Sequence, residues 1–140
     1  MAWPSYKKSK SNPVARKWLA NVPWDGVVAI NEQLCAAKNA LHKATSDGFD
    51  PAYKLWSDNY ARQMELDEAV EICRRCHKLA PFCFFNGNTF AAIIRSSIGS
   101  VIELDTSESY MLRNVVGHIV AGTSTSEEEE QFKTLLSKLN

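Results

Sequence analysis

The sequence predicts an all-α protein, a compact bundle of six to seven helices around a buried central helix. Three observations carry that reading. Apolar residues recur at three- and four-residue spacing in one segment after another, which is the period of a helical face. Asn-Pro and Asp-Pro pairs, serine-rich stretches and glycines punctuate those segments as caps and stops. No stretch alternates apolar and polar residues convincingly, as a half-buried strand would. The chain has 140 residues, 45% of them hydrophobic, enough for one domain with its own core.

The first residues, 1–11, read as a flexible basic arm, with residues 12–140 as a single helical domain. Asn12-Pro13 pairs a capping side chain with a proline at the first helical position and predicts a short helix through Trp18 and Leu19, stopped before Pro23. A second helix is expected from about Asp25 to Thr45, with Val27, Ile30, Leu34, Ala37 and Leu41 on one face and Ser46-Asp47-Gly48 as its stop. Asp50-Pro51 opens the next, whose aromatic stripe of Tyr53, Trp56 and Tyr60 reads as core.

The stretch "MELDEAVEICRRCHKLA" predicts a helix with Leu66, Val70, Cys73, Cys76 and Leu79 on one face, ended by Pro81. Asn86-Gly87-Asn88 then reads as a turn before a central helix from Thr89 to about Ile102. Phe90, Ala91, Ala92, Ile93, Ile94, Ile98, Val101 and Ile102 make it apolar nearly all round. Gly99 inside it suggests close packing. Asn88 or Thr89 is its expected cap, with Gly87 supplying a conformation other residues resist. Caps at Asp105–Ser109 open a helix through Tyr110, Leu112, Val115, Val116, Ile119 and Val120, closed by Ala121-Gly122. The last helix has two overlapping capping boxes in prospect, Ser124 with Glu127 and Ser126 with Glu129. Phe132, Leu135, Leu136 and Leu139 dock it.

Sixteen Lys and Arg balance sixteen Asp and Glu, which argues against non-specific nucleic-acid binding. Neither an export-like leader nor a membrane-length apolar run is visible. The expectation is a cytoplasmic protein with no membrane association and its four cysteines reduced.

Three places could carry chemistry. Cys73-Arg74-Arg75-Cys76-His77 has the spacing of covalent haem attachment, with Met111 or His118 as conceivable distal ligands. Cys73, Cys76, His77 and Cys83 are zinc-type donors, whereas Cys35, His42 and His118 are scattered. Both sets also fit buried small side chains in a helix, and the expectation is no metal and no cofactor. The third place is "APFCFFNGNTFAAIIR". A helix ends at Pro81, and a buried helix starts just after Asn86-Gly87-Asn88-Thr89, which aims backbone N–H groups at one point, a generic anion site. Phe82, Phe84, Phe85, Phe90 and His77 are the expected pocket lining.

Here the sequence resembles the Fic/Doc family, whose motif has the form H-P-F-x-(D/E/N)-G-N-(G/K)-R between two helices. "FCFFNGNTFAAII" lies on that pattern through Phe84, Asn86, Gly87 and Asn88, and "ELDEAVEICRRCHKLAPF" resembles the helix leading into it. The resemblance covers roughly residues 65 to 138. It implies a nucleotide-binding loop and transfer of a nucleotide to a protein hydroxyl. The family's histidine base falls on Phe82, or on Ala80 if the motif slides by two, and its phosphate-holding arginine falls on Phe90. Neither substitute can do that chemistry. The neutral Asn86 stands at the metal-binding acid position. The resemblance therefore implies a degenerate, non-catalytic loop with no catalytic residue assigned, in a protein that binds another protein and takes nucleotide or phosphate weakly. The alternatives are an active nucleotide transferase with an atypical motif using His77 or His118, a small metal or haem protein through Cys73, Cys76 and His77, and an unrelated helical regulator.

Overall fold

The computed structural model describes residues 15–99 and 101–139. Within them the chain forms six helices: α1 (Trp24–Ala37), α2 (Phe49–Asn59), α3 (Leu66–Leu79), α4 (Asn86–Ile98), α5 (Thr106–Ala121) and α6 (Ser126–Lys138). There is no strand among these residues. Two isolated antiparallel bridges, Arg16 with Met64 and Ala44 with Phe82, are the only extended pairings described. None of the helices is long and apolar enough to cross a membrane. The basic arm and the Asn12-Pro13 pair lie outside the described residues.

Helix α4 is the hub, packing against α1, α3 and α5. Phe90, Ile93 and Ile94 are fully buried in it, as the run of apolar side chains around its circumference predicts. Trp56 of α2 stands against Phe90, with ring centroids 5.8 Å apart. Its indole N–H donates to the Val22 carbonyl at 2.8 Å, so the polar edge of a buried Trp is satisfied. Leu66, Cys73 and Cys76 of α3 and Leu112, Val116 and Val120 of α5 complete the core.

Several boundaries differ from the sequence expectation, each for a tertiary reason. Trp18–Asn21 is a turn rather than a helix. Arg16 exchanges both backbone hydrogen bonds with Met64 at 2.9 Å, which leaves too few residues before Pro23 for a helix to nucleate. Helix α1 stops at Ala37 instead of near Thr45, and Asn39 turns the chain at φ 55°. The following segment is drawn straight by Cys83 N–H donating to the Lys43 carbonyl and Thr45 N–H donating to the Pro81 carbonyl, both at 2.9 Å. The core face of α1 is Trp24, Val27, Asn31 and Cys35; Leu41 is 60% exposed and Ala37 is exposed too. In the aromatic stripe of α2 only Trp56 is core, while Tyr53 is half exposed. Leu79 ends α3 partly exposed, and Ala80 caps that helix in the left-handed region.

Helix α4 begins three residues before the expected start and ends before Gly99, which serves as its stop at φ 52° and not as an interior packing glycine. Ile102 lies beyond it, almost wholly exposed. The capping box of α5 is Asp105 with Glu108, within the predicted cap cluster. That of α6 is Thr125 with Glu128, one residue away from both predicted boxes. Ser124 instead donates to Glu129 at 3.0 Å.

Candidate functional site

The corner between α3 and α4 is built by backbone hydrogen bonding from side chains. Asn86 accepts the Phe82 N–H at 2.9 Å and donates to the Phe82 carbonyl at 2.7 Å. Thr89 Oγ1 donates back to the Phe85 carbonyl at 2.7 Å. Asn31 of α1, fully buried, donates through Nδ2 to the Phe84 carbonyl at 2.8 Å and to Thr89 Oγ1 at 3.0 Å. Its Oδ1 accepts from His42 Nδ1 at 2.9 Å and from the Cys35 thiol. That fixes the His42 proton on Nδ1, since an amide oxygen only accepts. A buried polar network is stabilising only when every member is paired, and this one is.

Fixed in this way, the corner puts Phe85, not Gly87, in the left-handed region, at φ 63° as the residue preceding α4. No side chain caps the helix. Asn88 and Thr89 therefore do not cap it as expected: Thr89 is buried and turned back to Phe85, and Asn88 is exposed in the first turn. The backbone N–H groups of that turn have no acceptor within the helix.

The residues of that turn line a pocket of about 560 Å³ bounded by α3, α4 and α5. Of the residues expected there, the structure brings His77, Phe85, Asn86, Gly87 and Asn88 to its wall. It does not bring the others. Phe82 is buried in the core, stacked on Trp24 at 6.1 Å and edge-on to Phe49. Phe90 faces Trp56, and Thr89 is turned to Asn31. Phe84 is half exposed beside Phe85, with their ring centroids 6.4 Å apart.

Two lining residues that were not expected there carry charge or a titratable ring: Arg95, two turns along α4, and His118 of α5. Arg95 Nε donates to the Arg113 carbonyl at 3.3 Å, and no carboxylate pairs with this guanidinium among the described residues. Gly117 makes room for it: a Cβ there would overlap the guanidinium nitrogens. His77 Nδ1 lies 2.8 Å from the Val120 carbonyl, and His118 Nδ1 lies 2.6 Å from Glu128 Oε2. The imidazole and the Thr125 N–H together hold the Glu128 carboxyl below its usual range.

The haem and zinc donor sets do not assemble. Cys73 and Cys76 point into the core and are fully buried, His77 is engaged by Val120, and Cys83 is exposed. Among the described residues no three His, Cys, Asp or Glu side chains gather in a geometry that could hold a metal. Burial pushes the Cys76 thiol up to about 12 and the Cys73 thiol well above the ordinary value, the opposite of what a thiolate ligand needs.

Gly117 was the signal available in the sequence for Arg95. A glycine inside a helix costs about 1 kcal/mol and calls for a packing reason. Comparison with known protein families, curated proteins and solved structures finds no match to this chain.

Proposed function

We propose that this chain is a non-catalytic binding protein whose pocket at the start of α4 takes a small anionic group. The supporting observation is the convergence of Arg95, which lacks a carboxylate partner among the described residues, with His77, His118 and the first turn of α4 around one open cavity. Helix-start N–H groups and a guanidinium both favour negative charge. The layout is that of a Fic-like loop whose chemistry has been replaced. The position of the family's base is Phe82, which faces the core and not the pocket. Asn86, at the acid position, spends its amide on the Phe82 backbone. Phe84 and Phe85 at the rim offer an apolar surface through which another protein is engaged.

A second reading, an active nucleotide transferase, draws on the two imidazoles that share the pocket. One pair of measurements separates the two. In the binding reading, inorganic phosphate perturbs the amide resonances of Gly87 and Asn88, and Arg95→Met abolishes the effect. Incubation with labelled ATP, CTP or UTP and cell extract leaves every protein unlabelled. Labelling of a target that is lost in Asn86→Ala establishes the transferase instead.

A further inference from the structure

We infer that the pocket recognises its anion by a proton, accepting a hydrogen-bearing phosphate group through His77 and discriminating against sulfate. This rests on the anion reading of the same pocket, and the tautomer of His77 carries it, not the helix start.

A carbonyl oxygen only accepts, so the 2.8 Å contact between His77 Nδ1 and the Val120 carbonyl places a proton on Nδ1. Nε2 of the neutral ring is then a bare acceptor. It faces the pocket floor: a Cβ at Gly87 would lie 3.3 Å from both His77 Cε1 and Nε2. His118 lines the same pocket, with its Nδ1 held by the Glu128 carboxylate at 2.6 Å. The pocket therefore sets a donor, Arg95, against the acceptor nitrogen of His77. An oxygen of the ligand that faces such a nitrogen needs a proton between them.

Inorganic phosphate carries that proton throughout the range in which histidines titrate. A phosphomonoester carries it only below its second ionisation, near pH ~6. Sulfate has none to offer, so its binding must draw a proton from solvent onto an imidazole. The proton can rest on ligand oxygen or on Nε2 without changing the composition of the complex. Among the described residues, the charged and titratable side chains that line the pocket are His77, Arg95 and His118, with Glu128 of α6 paired to His118; no residue of α2 lines it. The volume of about 560 Å³ leaves room for an organic group beyond the phosphate.

The test is calorimetric titration of the whole chain with inorganic phosphate, phenyl phosphate and sulfate at pH 5.5 and pH 8.0. At pH 8.0 inorganic phosphate should bind about tenfold or more tightly than sulfate, the size expected when one charge-assisted hydrogen bond is lost. Phenyl phosphate that binds at pH 5.5 and weakens by pH 8.0 assigns a monoester, whereas its exclusion at both leaves free phosphate as the ligand. His77→Asn keeps a donor for Val120 but removes the pocket nitrogen, and should bring sulfate within about threefold of phosphate at pH 8.0. Phosphate and sulfate bound equally at both pH values would overturn proton recognition and leave the anion pocket standing. No binding of any of the three anions overturns both. The wild-type series decides the matter even if the variant fails to fold.

Discussion

Gly48 shows how one residue sets the position of two helices. It is buried where the end of α3 meets the start of α2, and a Cβ there would overlap the carbonyl oxygens of Leu79 and Ala80. Those atoms are backbone and cannot turn aside. Thr45 stitches the same joint, donating to the Ala80 carbonyl at 2.6 Å and accepting the Gly48 N–H at 3.2 Å. Gly48→Ala should destabilise by about 1–3 kcal/mol, as overpacking does, visible as a lowered urea midpoint. An unchanged midpoint would mean that the two helices are not in this contact. The cysteines make a second residue-level test. Cys83 is exposed, whereas Cys35, Cys73 and Cys76 are buried. One thiol per chain should react rapidly with a disulfide reagent, and the other three only on unfolding. The Cys76 thiol is raised from 9.0 to about 12 by burial. Its contribution to stability is therefore intact below the unfolded value and is lost as pH climbs from 9.0 toward 12. Rapid reaction of two or more thiols in the folded protein would contradict the packing of α1 or α3.

At the scale of elements, the carboxyl-terminal helix is held at both ends by groups that also cap. Glu108 closes the capping box of α5 by accepting the Asp105 N–H at 3.1 Å, and it pairs with Lys138 at the end of α6. Lys138 and the Asp105 backbone hold its carboxyl below the ordinary range. A carboxyl depressed in the folded state stabilises above its unfolded value of 4.5 and loses that contribution as pH falls through the folded one. Melting temperature should therefore fall in the acid limb below about pH 4.5, and Glu108→Gln should make that limb shallower. A limb of the same steepness in the variant would remove Glu108 from the docking of α6. At the opposite end, His118 and the Thr125 N–H share Glu128. The pocket wall and the start of α6 are thus joined through one carboxylate.

For the molecule as a whole, the sequence by itself determined the fold class, the centrality of α4 and the existence of α2, α3, α5 and α6. Helical periodicity, proline and glycine stops and capping residues are local signals, and they act within a few residues of where they are written. Asp105 with Glu108 and the left-handed Gly122 are such cases. What only the tertiary structure decided are the features that need two distant segments at once. Helix α1 ends early because residues 43–45 pair with residues 81–83. Its core face includes Asn31, a polar residue no hydrophobic count would place inside, because Phe84, Thr89 and His42 satisfy it there. Phe82 and Phe90 leave the expected pocket lining because Trp24 and Trp56, remote in sequence, offer them a core. Arg95 enters that lining because Gly117, on the facing helix, leaves it space. A motif shows which residues follow one another, whereas a pocket depends on which side chains another helix excludes or admits, and that is set by packing.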